Sequence, residues 1–128
     1  MSPRRKKFVW AATIVVVLLA SLFLYVWFDA RPLAQRASTT MRLATYAAAS
    51  SSFSNQMGRW PTSEVELVSN SAGLVFVEPP PPWRDAWHHV IAYEPFTTQA
   101  GFGRVISYGR DGKPGGSGAD ADIERRFP

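Results

Sequence analysis

Phe8 to Phe28 form an unbroken apolar stretch of 21 residues, FVWAATIVVVLLASLFLYVWF, in which only Thr13 and Ser21 are notably polar. A helix of that length, rising ~1.5 Å per residue, crosses the hydrocarbon core of a bilayer. Val, Ile and Leu fill its middle, and Trp10, Tyr25 and Trp27 lie near its ends, where amphipathic rings favour the headgroup level. The pattern predicts a transmembrane helix over 8–28. A cleaved secretory signal shares the plan of basic residues before an apolar run. Against it, this run is long for a signal core, and Trp27-Phe28-Asp29-Ala30 offers no small-x-small cleavage site. A buried core helix is a poor alternative, because the remaining chain is too short to cover a helix that is apolar on every side.

Residues 33–57 are rich in Ala, Ser and Thr, and their larger apolar positions follow a helical period. Leu33, Ala37, Met41, Ala44 and Ala48 draw one stripe, and Leu43, Tyr46, Ser50, Phe53 and Met57 draw an adjacent one. Pro32 suits the first turn of a new helix or a kink in a continuous one, so the span and this segment are expected to form one long helix. Gly58 suits its stop.

Beyond the stop, Ser63 and Glu66 have the spacing of a capping box ahead of Val65, Leu67 and Val68, which predicts a short helix at about 62–70. Leu74–Val77, Val90–Tyr93 and Arg104–Tyr108 are short runs with strand character. Pro79 to Pro82 must be extended and cannot join a central strand. The expected fold class is α+β, in which the long helix packs on a small antiparallel sheet and a glycine-rich loop closes the chain. Seven of the nine glycines fall between Gly101 and Gly118. Glycine loses the most conformational freedom on ordering, so something must hold that segment.

Charge adds a direction. The chain carries 14 Lys+Arg against 10 Asp+Glu, and Arg4, Arg5, Lys6 and Lys7 account for the whole excess. Basic residues at the N-terminal flank of the span predict residues 1–7 as a cytoplasmic tail, 8–28 as the span and 29–128 as a periplasmic domain, in a single-pass inner-membrane topology. Nothing downstream of Lys7 forms the basic stripe that phosphates require, which removes nucleic acid as a leading partner. The absence of cysteine excludes a disulfide framework, a thiolate zinc site and a cysteine nucleophile.

The candidate chemistry lies in GRDGKPGGSGADADI. Asp111, Asp120 and Asp122 bracket that loop, and carboxylates interspersed with exposed carbonyls are what a hard cation such as calcium requires. The alternative is a solvated Asp/Gly turn, and the spacing is not that of an EF-hand. His88 and His89 are adjacent and on a strand would point to opposite faces, so they read as surface or packing residues. No order of Ser, His and acid marks a nucleophile, which disfavours an enzyme, and no small-molecule substrate suggests itself. Trp83 and Trp87, flanking Arg84-Asp85-Ala86, read as aromatics closing a core edge.

Three segments carry a resemblance. Gly58-Arg59-Trp60-Pro61-Thr62, then Trp83-Arg84-Asp85-Ala86-Trp87 with Val90–Tyr93, and above all Ser107-Tyr108-Gly109-Arg110-Asp111-Gly112 with Gly115-Gly116 and Asp120-Ala121-Asp122-Ile123, resemble the major pseudopilin family of type II secretion, general secretion pathway protein G. The resemblance implies a pseudopilin-like fold and a calcium ion held by Asp111, Asp120 and Asp122, with carbonyls near Tyr108 and Lys113 as further ligands. It also implies a non-enzymatic structural or accessory role in a type II secretion or type IV pilus-type system, with the membrane and other pseudopilins or secretion-machine components as partners. Two positions depart from the family pattern: Lys7 stands where a glycine precedes the peptidase cut, and Ala12 stands where a glutamate serves assembly. Arg84 and Pro81 also replace the family's glycine and aspartate around Trp83. These departures keep open a stand-alone anchored binding module that reuses the fold without polymerising.

Overall fold

The computed structural model describes residues 2–128. Helical backbone follows without a break from Pro3 to Met57, as α1 (Pro3–Tyr25), a π-helical turn (Val26–Ala30) and α2 (Arg31–Met57). The chain divides into two compact units with the boundary after Ala34.

In the first unit, Ser2 caps α1 by accepting the Arg5 N–H at 3.3 Å, and Pro3 occupies the first turn, where its missing N–H costs nothing. The apolar side chains of α1 are spread round the helix rather than gathered on one face, and none is buried. That suits a lipid solvent and no aqueous core. The Thr13 hydroxyl donates to the Val9 carbonyl at 2.9 Å and so needs no water. Pro32 ends neither helix: the wider π turn lies just before it, where the ring would otherwise meet a carbonyl of the preceding turn. Arg31 places its guanidinium 4.7 Å from the centre of the Trp27 ring.

The second unit packs one face of α2 on a three-stranded antiparallel sheet in the order β1-β2-β3, where β1 is Ala92–Thr97, β2 Phe102–Ser107 and β3 Ile123–Phe127. Of the two helix stripes, the helix buries Leu43, Tyr46, Ser50 and Phe53, with Met57 partly covered. The other stripe stays outside, Leu33 at 71% and Met41 at 73% exposure. Tyr46 lies flat on Trp83 at 4.1 Å, and Phe127 sits between Trp60 and Tyr93, at 5.6 and 5.8 Å. Gly103, facing Phe127 across the β2–β3 register, has no room for a Cβ against that ring. Trp83 is therefore central to the core and does more than close its edge; Trp87 is half-buried, with no acceptor for its indole N–H among the described residues.

Gly58 ends α2 at φ 71°, as expected. The helix expected at 62–70 is a single 3-10 turn, Glu64–Leu67, and Ser63 makes no capping bond. Glu66 is committed elsewhere: its carboxylate takes both Nη atoms of Arg59, at 3.1 and 2.8 Å, and the Thr62 N–H at 2.6 Å. Asn70 then closes the turn, donating to the Glu66 and Leu74 carbonyls and accepting the N–H groups of Ala72 and Leu74. Leu74–Val77 is likewise no strand: its backbone is held by Asn70 at Leu74 and by the Phe76 N–H, bound to the Leu67 carbonyl at 2.7 Å, and not by a ladder to a neighbouring strand.

Arg59 holds the Glu66 carboxyl down to about 2, and the Thr62 bonds act in the same sense. A depressed carboxyl stabilises the fold fully above its ordinary pKa of about 4.3 and loses that contribution as pH falls towards the folded value. The thermal advantage of the wild type over Glu66→Gln is therefore expected to be full at pH 6 and to shrink between about pH 4.5 and 2. Melting curves of the two proteins that stay parallel across that range would remove Glu66 as the source.

Candidate functional site

β2 delivers the chain into the glycine-rich loop, and β3 takes it back. Gly109 has φ 77°, and a Cβ there would stand 2.6 Å from the Asp120 carbonyl oxygen; at Gly116, φ 87°, the same oxygen would be 2.7 Å away. The backbone at Asp120 thus passes close to both glycines, an approach that only residues without a side chain permit. The Arg110 N–H donates to the Ala119 carbonyl at 2.9 Å, and a 3-10 turn at Gly118–Asp120 leads towards β3.

Behind the loop lies Asp85, a carboxylate with 1% exposure. Its Oδ1 accepts the N–H groups of Trp87 and His89, each at 3.0 Å, and its Oδ2 accepts the Ser107 hydroxyl at 2.7 Å. A turn forms in which His88 takes φ 68° and the His89 carbonyl accepts the Asp85 N–H at 2.9 Å. The Ala86 N–H reaches the buried Thr39 hydroxyl of α2 at 3.1 Å. Asp85 therefore joins the Trp83–Trp87 segment to the end of β2, and Thr39 joins it to the helix. His89 packs as expected: its Nε2–H donates to the Arg110 carbonyl at 2.9 Å, and its ring lies over Gly112, where a Cβ would come within 2.9 Å. His88 is exposed.

The three loop acids have separate partners. Asp111 Oδ1 accepts the Lys113 N–H at 3.1 Å, and both oxygens of Asp122 lie 3.1 Å from the Gly115 N. Asp120 forms an ion pair with Arg110, Nε to Oδ1 at 3.0 Å and Nη2 to Oδ2 at 3.3 Å. That pairing raises the Arg110 guanidinium further above its ordinary value.

A family model described as type II secretion system (T2SS), protein G, matches residues 28–126. The chain belongs to the protein G family of type II secretion. No curated protein and no solved structure matches it. The match to protein G begins at the last residue of the apolar stretch and runs through the glycine-rich loop into β3. Together with one helix long and apolar enough to cross a membrane, it makes the chain a type II secretion-related protein with an N-terminal candidate anchor.

For the calcium that the protein G resemblance implies, the arrangement is a poor fit. A calcium ion needs six or more oxygens pointing at one place. Among the described residues no three His, Cys, Asp or Glu side chains come together to hold a metal, and the three loop carboxylates face different N–H and guanidinium donors. Three residues that organise the loop had no role in the sequence reading: Asp85 and Arg110, which lie within the resembling segments, and Arg36, which lies outside them. Arg36 reaches it from α2, donating from Nη1 to the carbonyls of Gly118 at 3.0 Å and Ala121 at 2.8 Å.

Proposed function

We infer that the protein is a non-enzymatic, single-pass structural or accessory component of a type II secretion apparatus, anchored in the inner membrane with its C-terminal domain in the periplasm. The observation that carries this reading is the family match over residues 28–126 directly behind a helix long enough to span a bilayer. Orientation rests on Arg4, Arg5, Lys6 and Lys7 at the N-terminal end of that helix. The role asks for a rigid domain on an anchor, and the core of α2 and the sheet supplies one. The calcium expectation at Asp111, Asp120 and Asp122 gains no support from the way those carboxylates are engaged. The experiment is affinity purification of the full chain, after cross-linking in membranes of cells that express a type II secretion apparatus. Recovery of other pseudopilins or of the apparatus's membrane components supports the reading, and recovery of none of them sinks it.

A second reading, an anchored module that does not polymerise, is favoured by Lys7 before Phe8 and by Ala12. On co-expression with a prepilin peptidase the intact mass is expected to stay that of the uncut chain. A product shortened by residues 1–7 would make the protein a conventional filament subunit and end this second reading.

A further inference from the structure

Of the four consecutive loop residues 118–121, three give an oxygen to an arginine guanidinium and the fourth, Ala119, gives its carbonyl to a backbone N–H. The Gly118 and Ala121 carbonyls accept from Arg36 Nη1, the Ala119 carbonyl accepts the Arg110 N–H, and the Asp120 carboxylate takes Nε and Nη2 of Arg110. Carbonyls and a carboxylate turned towards positive charge are the oxygens a hard cation would gather. Here the Gly118 and Ala121 carbonyls meet the Arg36 guanidinium and the Asp120 carboxylate meets that of Arg110, each permanently charged and with several N–H donors in a fixed plane. Asp111 and Asp122, meanwhile, are occupied as acceptors of the Lys113 and Gly115 N–H groups, so both already stabilise turns within the loop.

We propose that this loop carries its own cation: Arg36, helped by Arg110, takes the place of a divalent ion and holds residues 118–121 against α2, so that the loop is ordered without calcium. Arg36 is well placed for this. It lies on the helix and not in the loop, and its side chain is half-buried, so the contact fixes the loop relative to the rest of the domain as well as to itself. A loop secured in this way keeps its shape whatever the calcium level outside the cell membrane.

The test is hydrogen exchange across residues 115–122 together with the thermal midpoint, on the full chain in detergent, with EGTA or with millimolar calcium chloride. The wild type is expected to give the same loop protection and the same midpoint in both. Arg36→Gln is expected to raise loop exchange about tenfold in both solutions while the sheet remains protected. Arg36→Lys should recover part of the protection, because an ammonium keeps the charge but lacks the planar donor pair. Arg36 is not in the hydrophobic core, so these variants fold. Two results would overturn the proposal: a wild-type midpoint that falls by more than about 4 °C in EGTA, or an Arg36→Gln loop as protected as the wild type's.

Discussion

Replacing Asp85 by alanine is expected to lower the stability of the folded domain by about 3–5 kcal/mol, as buried donors each cost roughly 1–3 kcal/mol when orphaned. Three of them depend on its carboxylate: the Trp87 and His89 N–H groups and the Ser107 hydroxyl. The side chain is fully enclosed, so water cannot simply replace it, and alanine also leaves space behind. Asparagine at the same position keeps an oxygen for the two backbone donors. Its amide can face Ser107, whose hydroxyl can turn to accept, so Asp85→Asn is expected to cost only about 1–2 kcal/mol. Ser107 adds a check on the order of effects, because its oxygen also accepts the Gly109 N–H at 3.3 Å, at the entrance to the loop. Thermal melts of the full chain in detergent separate the variants, at roughly 4–8 °C per kcal/mol for a domain of this size. An Asp85→Ala midpoint within about 2 °C of wild type would mean that the carboxylate does not hold this turn.

Asp85 also shows where sequence reading reaches its limit. The long apolar helix was legible because its length and composition are properties of one continuous segment. The end of α2 at Gly58 was legible for a similar reason, since a helix stop is decided by the residue that must take a positive φ. Which stripe of α2 turns inward was not, because Leu33 and Met41 recur with the same period as Leu43 and Phe53 and only the partner surface tells them apart. Leu74–Val77 has strand composition but no neighbour to pair with; Phe76 and Val77 instead pack from irregular backbone. The loop was legible as a loop from its glycines, and the three aspartates as its conspicuous charges. Their partners were hidden. Arg36 is 82 residues from Gly118, and nothing in either segment announces the contact.

β3 escaped for the opposite reason. Glu124-Arg125-Arg126 looks like a solvated end of chain, yet those charges suit an outer strand beside a charged neighbour. Arg104 of β2 lies between Glu94 of β1, at 2.6 Å, and Glu124 of β3, at 2.7 Å, so the exposed face of the sheet is a row of opposite charges. Arg104 and, less strongly, Arg126 keep the Glu124 carboxyl below its usual range. What makes β3 a strand and not a tail is the apolar residue at each end, Ile123 half-buried and Phe127 fully enclosed.

Phe127→Ala is accordingly the second substitution expected to have a large effect. Removing an enclosed phenylalanine costs about 3–5 kcal/mol, the lost burial plus the cavity left behind. Here the cavity would open between Trp60, Tyr93 and Gly103, and Gly103 has no side chain with which to fill it. Tyr93 is tied by its hydroxyl to the Pro61 carbonyl at 3.2 Å and packs against Trp83 on another side, so its ring is not free to swing across. The consequence extends past the strand. The glycine-rich loop is closed at its far end by β3, so a strand released at Phe127 lets Asp120 and Asp122 move even though Phe127 touches neither. Hydrogen exchange on Phe127→Ala should therefore show β3 and residues 115–122 losing protection together, whereas Arg36→Gln should open the loop alone. If Phe127→Ala leaves β3 as protected as in the wild type, the ladder to β2 is sufficient to hold the strand, and the aromatic cluster is not what returns the chain to the sheet.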